Sequence, residues 1–215
     1  MQVRYMQLQD IHQVAQIDHE AFPTEWPPTN FKRELENRMA HYIVACEDKP
    51  APPHKTAKPV PARDTGGLLG SMKKLLGLKS PVPNASSMEE EPVLGYAGMW
   101  IMADEAHITS IASRGQSRRK GIGEALLMAI IELAARRNAR LVTLEVRVSN
   151  ITAQTLYLKY GFQKTGMRKG YYLDNKEDAI IMTTDYIGAD SFRDRIHQLK
   201  DAHARKWGST IYDFD

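Results

Sequence analysis

The chain has 215 residues, 42% of them hydrophobic and 26% charged, a balance that suits one folded domain with an attachment and excludes a wholly disordered chain. A net charge of +3 is too small to argue for direct nucleic-acid binding without a concentrated basic patch, and no apolar run approaches the roughly 18 residues of a membrane span. The opening MQVRYMQLQD lacks the hydrophobic centre of a signal peptide, and the single cysteine, Cys46, excludes an internal disulfide or a thiolate metal cluster. The expectation is a cytoplasmic protein.

In chain order, VRYM reads as a short strand, and Asp10 is placed to cap a helix running through Ala21, with Ile11, Val14, Ala15 and Ile17 recurring at helical spacing. A second helix, roughly Thr29 to Met39, precedes the strand HYIVACE, where Cys46 reads as a small buried residue. Residues 49–92 hold eight of the eleven prolines and no aromatic residue, so they read as a flexible insertion. Within it Leu68, Leu69, Met72, Leu75 and Leu76 share one helical face, weakened by Gly70 and Gly77.

Two strands follow, VLGYAGMWIM and AHITSIAS, and then a helix over 122–136 with Ile122, Ala125, Leu126, Ala129, Ile130 and Leu133 on one stripe. LVTLEVRV puts Val142, Leu144, Val146 and Val148 on one strand face. A helix from Asn150 to Tyr160, a turn at Gly161, a strand to about Arg168 and a last strand AIIMTTDY complete the pattern. This order predicts an α/β (α+β) fold, with helices packed on a central sheet. The tail from Gly188 carries Phe192, Ile196 and Leu199 on an amphipathic helix that would cover the core or reach a partner.

The entrance to helix 122–136, RRKGIGEALL, is where an anion is expected: unpaired N–H groups at a helix N-terminus attract negative charge, and glycines let a phosphate approach. A nucleoside-triphosphate loop needs Lys and Ser or Thr after its last glycine, but Glu124 follows Gly123. A dinucleotide fingerprint needs a small third residue where Leu126 stands, although Glu145 lies near the distance of a ribose-binding carboxylate.

Arg118-x-x-Gly121-x-Gly123 resembles the signature of the GCN5-related N-acetyltransferases, and LEVRVSNITAQTLYLKYGF is similar to that family's next segments, with Asn150, Ala153, Leu156, Tyr157, Gly161 and Phe162 in order. HEAFPTEWPPTNF, LEVRVSN and YYLDNKEDAIIM resemble the RimI-type ribosomal-protein-alanine N-acetyltransferases over most of residues 1–187, leaving the insertion and the 188–215 tail outside the likeness. The resemblance implies a mixed sheet of six to seven strands, acetyl-CoA as cosubstrate without a metal, and a protein N-terminal amine as acceptor. For the RimI type that acceptor is the N-terminal alanine of the eighteenth small-subunit ribosomal protein; acetylation of lysine or of broader protein N-termini, and a non-catalytic acetyl-CoA-binding module, are the alternatives.

The resemblance also assigns roles. Glu145 is the general base, its other reading a solvent-facing strand residue, and Tyr157 is the general acid toward the coenzyme A sulfur, its other reading a core aromatic. Ile111, Ala112 and Ser113 pair with the pantetheine arm, and an amide there stabilises the oxyanion. Arg118, Arg119, Lys120, Gly121, Ile122, Gly123 and Glu124 hold the pyrophosphate. Asn150 contacts the coenzyme, caps its helix, or both. Phe22, Pro23, Trp26, Tyr171, Tyr172 and Asp178 line the peptide groove, with Asp178 alternatively paired to a surface arginine.

Overall fold

The computed structural model describes residues 1–24, 27–47 and 91–214. The leucine-rich stretch of the insertion and Trp26 lie outside the described residues. Eight strands form one sheet: β1 (Gln2–Tyr5), β2 (Ala40–Cys46), β3 (Val93–Met102), β4 (Glu105–Ser113), β5 (Leu141–Arg147), β6 (Phe162–Arg168), β7 (Ala179–Thr184) and β8 (Ile211–Asp213). Their order across the sheet is β6-β7-β5-β4-β3-β2-β1-β8. The eighth strand is one more than expected: beyond its helix, the tail returns to pair in parallel with β1, Gln2 facing Ile211. Two strand pairs are parallel, β1 with β8 and β4 with β5, and the rest antiparallel, so the sheet is mixed.

Helices cover both faces. On one, α1 (Ile11–Ala21) and α2 (Phe31–Glu36) bury Val14, Ile17 and Phe31 against Tyr42, Val44, Tyr96 and Ala112. Buried Asp18 of α1 accepts a hydrogen bond from the Tyr96 hydroxyl of β3. On the other face α3 (Ile122–Arg136) lays Leu126, Ile130 and Leu133 over Ile43, Ala97, Met99 and Leu144. The strand alternation of β5 is as the sequence predicts: Val142, Leu144 and Val146 are buried on the α3 side, while Thr143, Glu145 and Arg147 are only partly covered on the other. Val148 falls beyond the strand and is exposed.

Two local expectations change. Asp10 precedes α1 but makes no side-chain cap; its carboxylate turns back to Arg4 at 2.7 and 3.0 Å and to the Gln7 N–H at 2.7 Å, because a buried carboxylate gains more from an arginine fork than from one amide. The second helix is shorter than Thr29–Met39: Asn30 caps it by accepting from Arg33 N–H at 3.1 Å, and it ends at Glu36. Cys46 is buried on β2, as read.

The feature that positions the site is a split in the sheet. β4 and β5 pair in parallel only from Glu105 with Leu141 to Ile108 with Leu144, although β4 runs on to Ser113 and β5 to Arg147. The parting coincides with a bulge: on β3, Gly98 faces Ser110 and Met99 faces Ile108, so Thr109 has no opposite residue. An extra residue bends its strand.

Candidate active site

Beyond the bulge the edge of β4 that β5 abandons still carries polar backbone. The Arg114 N–H bonds the Leu94 carbonyl at 2.8 Å, which fixes the phase of the antiparallel ladder and makes Gly95 with Ser113 a non-hydrogen-bonded pair. By the same alternation Ala112 bonds β3, whereas Ile111 and Ser113 direct their N–H and C=O groups into the split. An extended amide-bearing arm laid there would pair as an added strand.

The split leads to the glycine turn. The first helical bond of α3 runs from Ala125 N–H to the Gly121 carbonyl at 2.9 Å, so the N–H groups of Ile122, Gly123 and Glu124 have no acceptor within the helix. A Cβ added at Gly123 would meet nothing within 4 Å, which leaves room for an anion against the backbone. Gly121 is glycine for another reason, with φ of +79° and a missing Cβ whose place is crowded by Trp207 and His203. Arg118, Arg119 and Lys120 are exposed, free to add positive charge. Glu124 contributes backbone only: its carboxylate turns to α4 (Ile151–Lys159), accepting from Lys159 and from the Tyr160 hydroxyl at 2.7 Å. Burial raises its pKa, but these hydrogen bonds outweigh burial and the net shift is downward. Asn150 caps α4, accepting from Ala153 N–H at 3.1 Å. The fit to a diphosphate followed by a pantetheine arm is therefore carried by backbone.

Glu145 is the first residue of β5 past the last pair with β4, and its side chain is only 7% exposed. One oxygen lies 2.7 Å from His107 Nε2 and the other accepts from Arg168 Nε at 2.8 Å. Because an ionised carboxylate only accepts, Nε2 of His107 carries the proton and donates. The solvent-facing reading of Glu145 does not describe this place. Tyr157, on α4, is partly buried against Phe162, with ring centroids 5.6 Å apart, and burial pushes its pKa up to about 12, the nearby Tyr172 phenol adding in the same direction. Among the described residues its hydroxyl has no hydrogen-bond partner.

The hairpin loop between β6 and β7 forms the wall beside Glu145. Arg147 anchors it: the guanidinium lies 3.8 Å from the Tyr172 ring centroid, pairs with Asp174 at 3.0 Å and reaches Glu177 at 3.1 Å. Glu177 also accepts from Ser149 N–H at 2.7 Å, and these bonds, Ser149 foremost, hold its pKa at about 2. Tyr171 meets Tyr172 edge-on at 5.3 Å and stands 5.7 Å from Arg168, while Tyr172, its pKa raised to about 12 chiefly by burial, is near enough to Glu145 to feel its charge. Asp178 accepts from Gly170 N–H at 2.8 Å, closing the loop on itself instead of pairing with an arginine. Opposite, Phe22 ends α1 against the core, Pro23 is exposed, and the Thr24 hydroxyl donates to Asp174 at 2.8 Å, joining the two loops. Next to α2 a cavity of about 570 Å³ is lined by Pro27, Pro28, Arg33, Glu34 and Trp100, which stands on β3 directly opposite His107 of β4.

Sequence reading missed His107, Arg168, Arg147 and Trp100. His107 alternates onto the Glu145 face, but only the four-pair register of β4 with β5 brings it within reach of the carboxylate. Arg168 joins them from β6, across β7.

A split parallel pair whose freed edge leads to a helix entrance with unpaired amides is the arrangement expected of the acetyl-CoA-dependent family that the sequence resembles. The comparisons with known proteins agree. The acetyltransferase (GNAT) family model matches residues 80–162. A Bacillus subtilis protein provisionally named ribosomal protein bS18-alanine N-acetyltransferase is 37% identical over 84% of this chain and 92% of its own length, and an N-alpha-acetyltransferase of Sulfurisphaera tokodaii is 32% identical over 84% and 90%. The crystal structure of the Escherichia coli ribosomal-protein-S18-alanine N-acetyltransferase superimposes with a TM-score of 0.59 at 22% identity, covering 87% of this chain and 96% of that one. The chain belongs to the GNAT family of acetyl-CoA-dependent N-acetyltransferases, in its RimI-type branch.

Proposed function

We propose that this enzyme acetylates the α-amine at a protein N-terminus, and that the N-terminal alanine of ribosomal protein bS18 is its acceptor, as the names of its relatives suggest. The observation that carries the reading is the parting of β4 from β5 one residue before Glu145. A thioester whose arm lies along Ile111 and Ser113 reaches the apex of the split, where an amine entering between the two loops meets it.

An α-amine, with a pKa of about 7.7–8.0, is neutral at pH 7 at a cost of roughly 1 kcal/mol, against roughly 4–5 kcal/mol for lysine. Its lone pair attacks the thioester carbon; the N–C bond forms, the C–S bond breaks, and two protons must move. Glu145 takes the proton released by the nitrogen, directly or through a water, while His107 and Arg168 fix both its oxygens. A nitrogen already bonded to the acyl carbon is acidic, so a weakly basic carboxylate suffices. Tyr157 gives its proton to the departing sulfur. Its raised pKa keeps it protonated at neutral pH and sets the transfer uphill toward a thiolate of about 8.5, so proton movement accompanies bond breaking.

Mass spectrometry of a peptide library with varied N-termini, incubated with acetyl-CoA, tests this. Alanine-initiated peptides, the bS18 N-terminus among them, gain one acetyl group on the α-amine, and internal lysines gain none. Acetylation confined to lysine would overturn the acceptor assignment; coenzyme binding without transfer to any peptide would overturn the enzymatic one.

A further inference from the structure

The tail helix, α5 (Asp190–Trp207), lies beyond the motifs on which the resemblance rests. Its stripe of Phe192, Ile196 and Leu199 continues through His203 to Trp207, steps of three or four residues that share one face. Phe192 and Arg195 pack at Gly161, after α4, and Lys200 pairs with Glu132 of α3. At the far end His203, only 3% exposed, lies with Nε2 3.0 Å from the Gly121 carbonyl oxygen. A carbonyl can only accept, so the imidazole donates. A Cβ at position 121 would stand 2.6 Å from Trp207 Cδ1 and 2.7 Å from His203 Nε2.

The peptide unit from Gly121 to Ile122 is planar, so its C=O and N–H point in opposite directions. What holds the carbonyl therefore aims the amide, and His203 is the second donor on it beside the Ala125 N–H, adding a hold from outside the helix. That amide is one of the three left without a helical acceptor at the entrance of α3. We infer that His203, backed by Trp207, is a positioning residue for the coenzyme: it holds the Gly121 carbonyl and thereby directs the Ile122 N–H at the diphosphate. The inference rests on the reading that acetyl-CoA occupies this turn. It gives the tail a role in donor binding, distinct from the acceptor chemistry around Glu145.

The test compares two donors, acetyl-CoA and S-acetylpantetheine, which ends before the diphosphate. In His203→Ala the kcat/KM for acetyl-CoA falls about fivefold, the effect of one hydrogen bond of ordinary net strength, and falls through KM with kcat within about twofold. The kcat/KM for S-acetylpantetheine is unchanged. His203→Gln, whose side-chain amide N–H can take the place of Nε2–H, restores acetyl-CoA use. Equal losses with both donors would reveal a merely structural helix, and no loss with either would show that the turn needs no support; both overturn the inference. If His203→Ala does not fold, Trp207→Ala, at an exposed last turn, is read by the same comparison. Failure of the wild type itself to bind coenzyme A would instead remove the functional reading on which the inference stands.

Discussion

The donor side and the acceptor side of this site are built by different means. In the proposed reading, donor contacts come from a nearly continuous stretch, Ile111 to Glu124 with Asn150, and use backbone amides whose direction follows from a strand edge and a helix entrance. The acceptor side is made of side chains from separated elements: His107 on β4, Glu145 and Arg147 on β5, Arg168 on β6, and two loops joined by Thr24 and Asp174. A backbone cradle tolerates sequence change wherever the glycines remain. A wall of charged side chains depends on every partner being present. Substitutions should therefore separate into those that alter donor affinity and those that alter chemistry or acceptor affinity.

The largest effects belong to the proposed base and acid. Glu145→Gln and Tyr157→Phe each lower kcat by about 10²–10⁴-fold, the range for a positioned acid or base, and leave the dissociation constant for coenzyme A within about twofold. Steady-state kinetics beside calorimetry checks both halves. The pH profile sharpens the assignment of Tyr157. A phenol whose pKa is raised stays protonated, and so competent to donate, until pH approaches that value of about 12. Wild-type turnover should rise through the amine pKa and show no descending limb up to about pH 10; a fall centred near pH 9 would mean that another group is the acid.

The two glycines of the turn provide a smaller contrast. Gly123→Val fills the open space and raises KM for acetyl-CoA about tenfold or more, with little change in melting temperature, because nothing stands within 4 Å of the added Cβ. Gly121→Ala places a Cβ in the left-handed region and against Trp207, and lowers stability by about 1–2 kcal/mol. If Gly123→Val left acetyl-CoA affinity untouched, the anion would not lie at this turn.

The same contrast explains what could be read without coordinates. The strands, the core stripe of α3 and the glycine turn were legible because each depends on local periodicity or on residues a few positions apart. That Gly121 also makes room for the tail helix is not legible locally, because that docking links positions 82 residues apart. Asp10 was given to its own helix although Arg4 claimed it. The brackets on Glu145 could not be read at all: His107 lies 38 positions before it and Arg168 lies 23 after it, and only the strand order brings all three together. The eighth strand was hidden for a simpler reason, since three residues near the chain end carry too little pattern to distinguish a strand from a loop.

The smallest expected effect tests whether the acceptor wall works as one piece. Thr24 donates to Asp174, which in turn is held by Arg147, so the loop after α1 is tied to the hairpin loop through an exposed hydrogen bond. Thr24→Val removes the donor while keeping the shape. Exposed polar contacts compete with water, so the acceptor KM should rise only about two- to threefold. Because the bond touches neither the split nor the glycine turn, KM for acetyl-CoA should not move. Arg147→Met, which removes the shared anchor of Tyr172, Asp174 and Glu177, should raise the acceptor KM further in the same direction. Adding Thr24→Val to Arg147→Met should then do little more, since Asp174 has already lost the guanidinium that holds it in place; additive losses would show that the two loops act independently on the peptide.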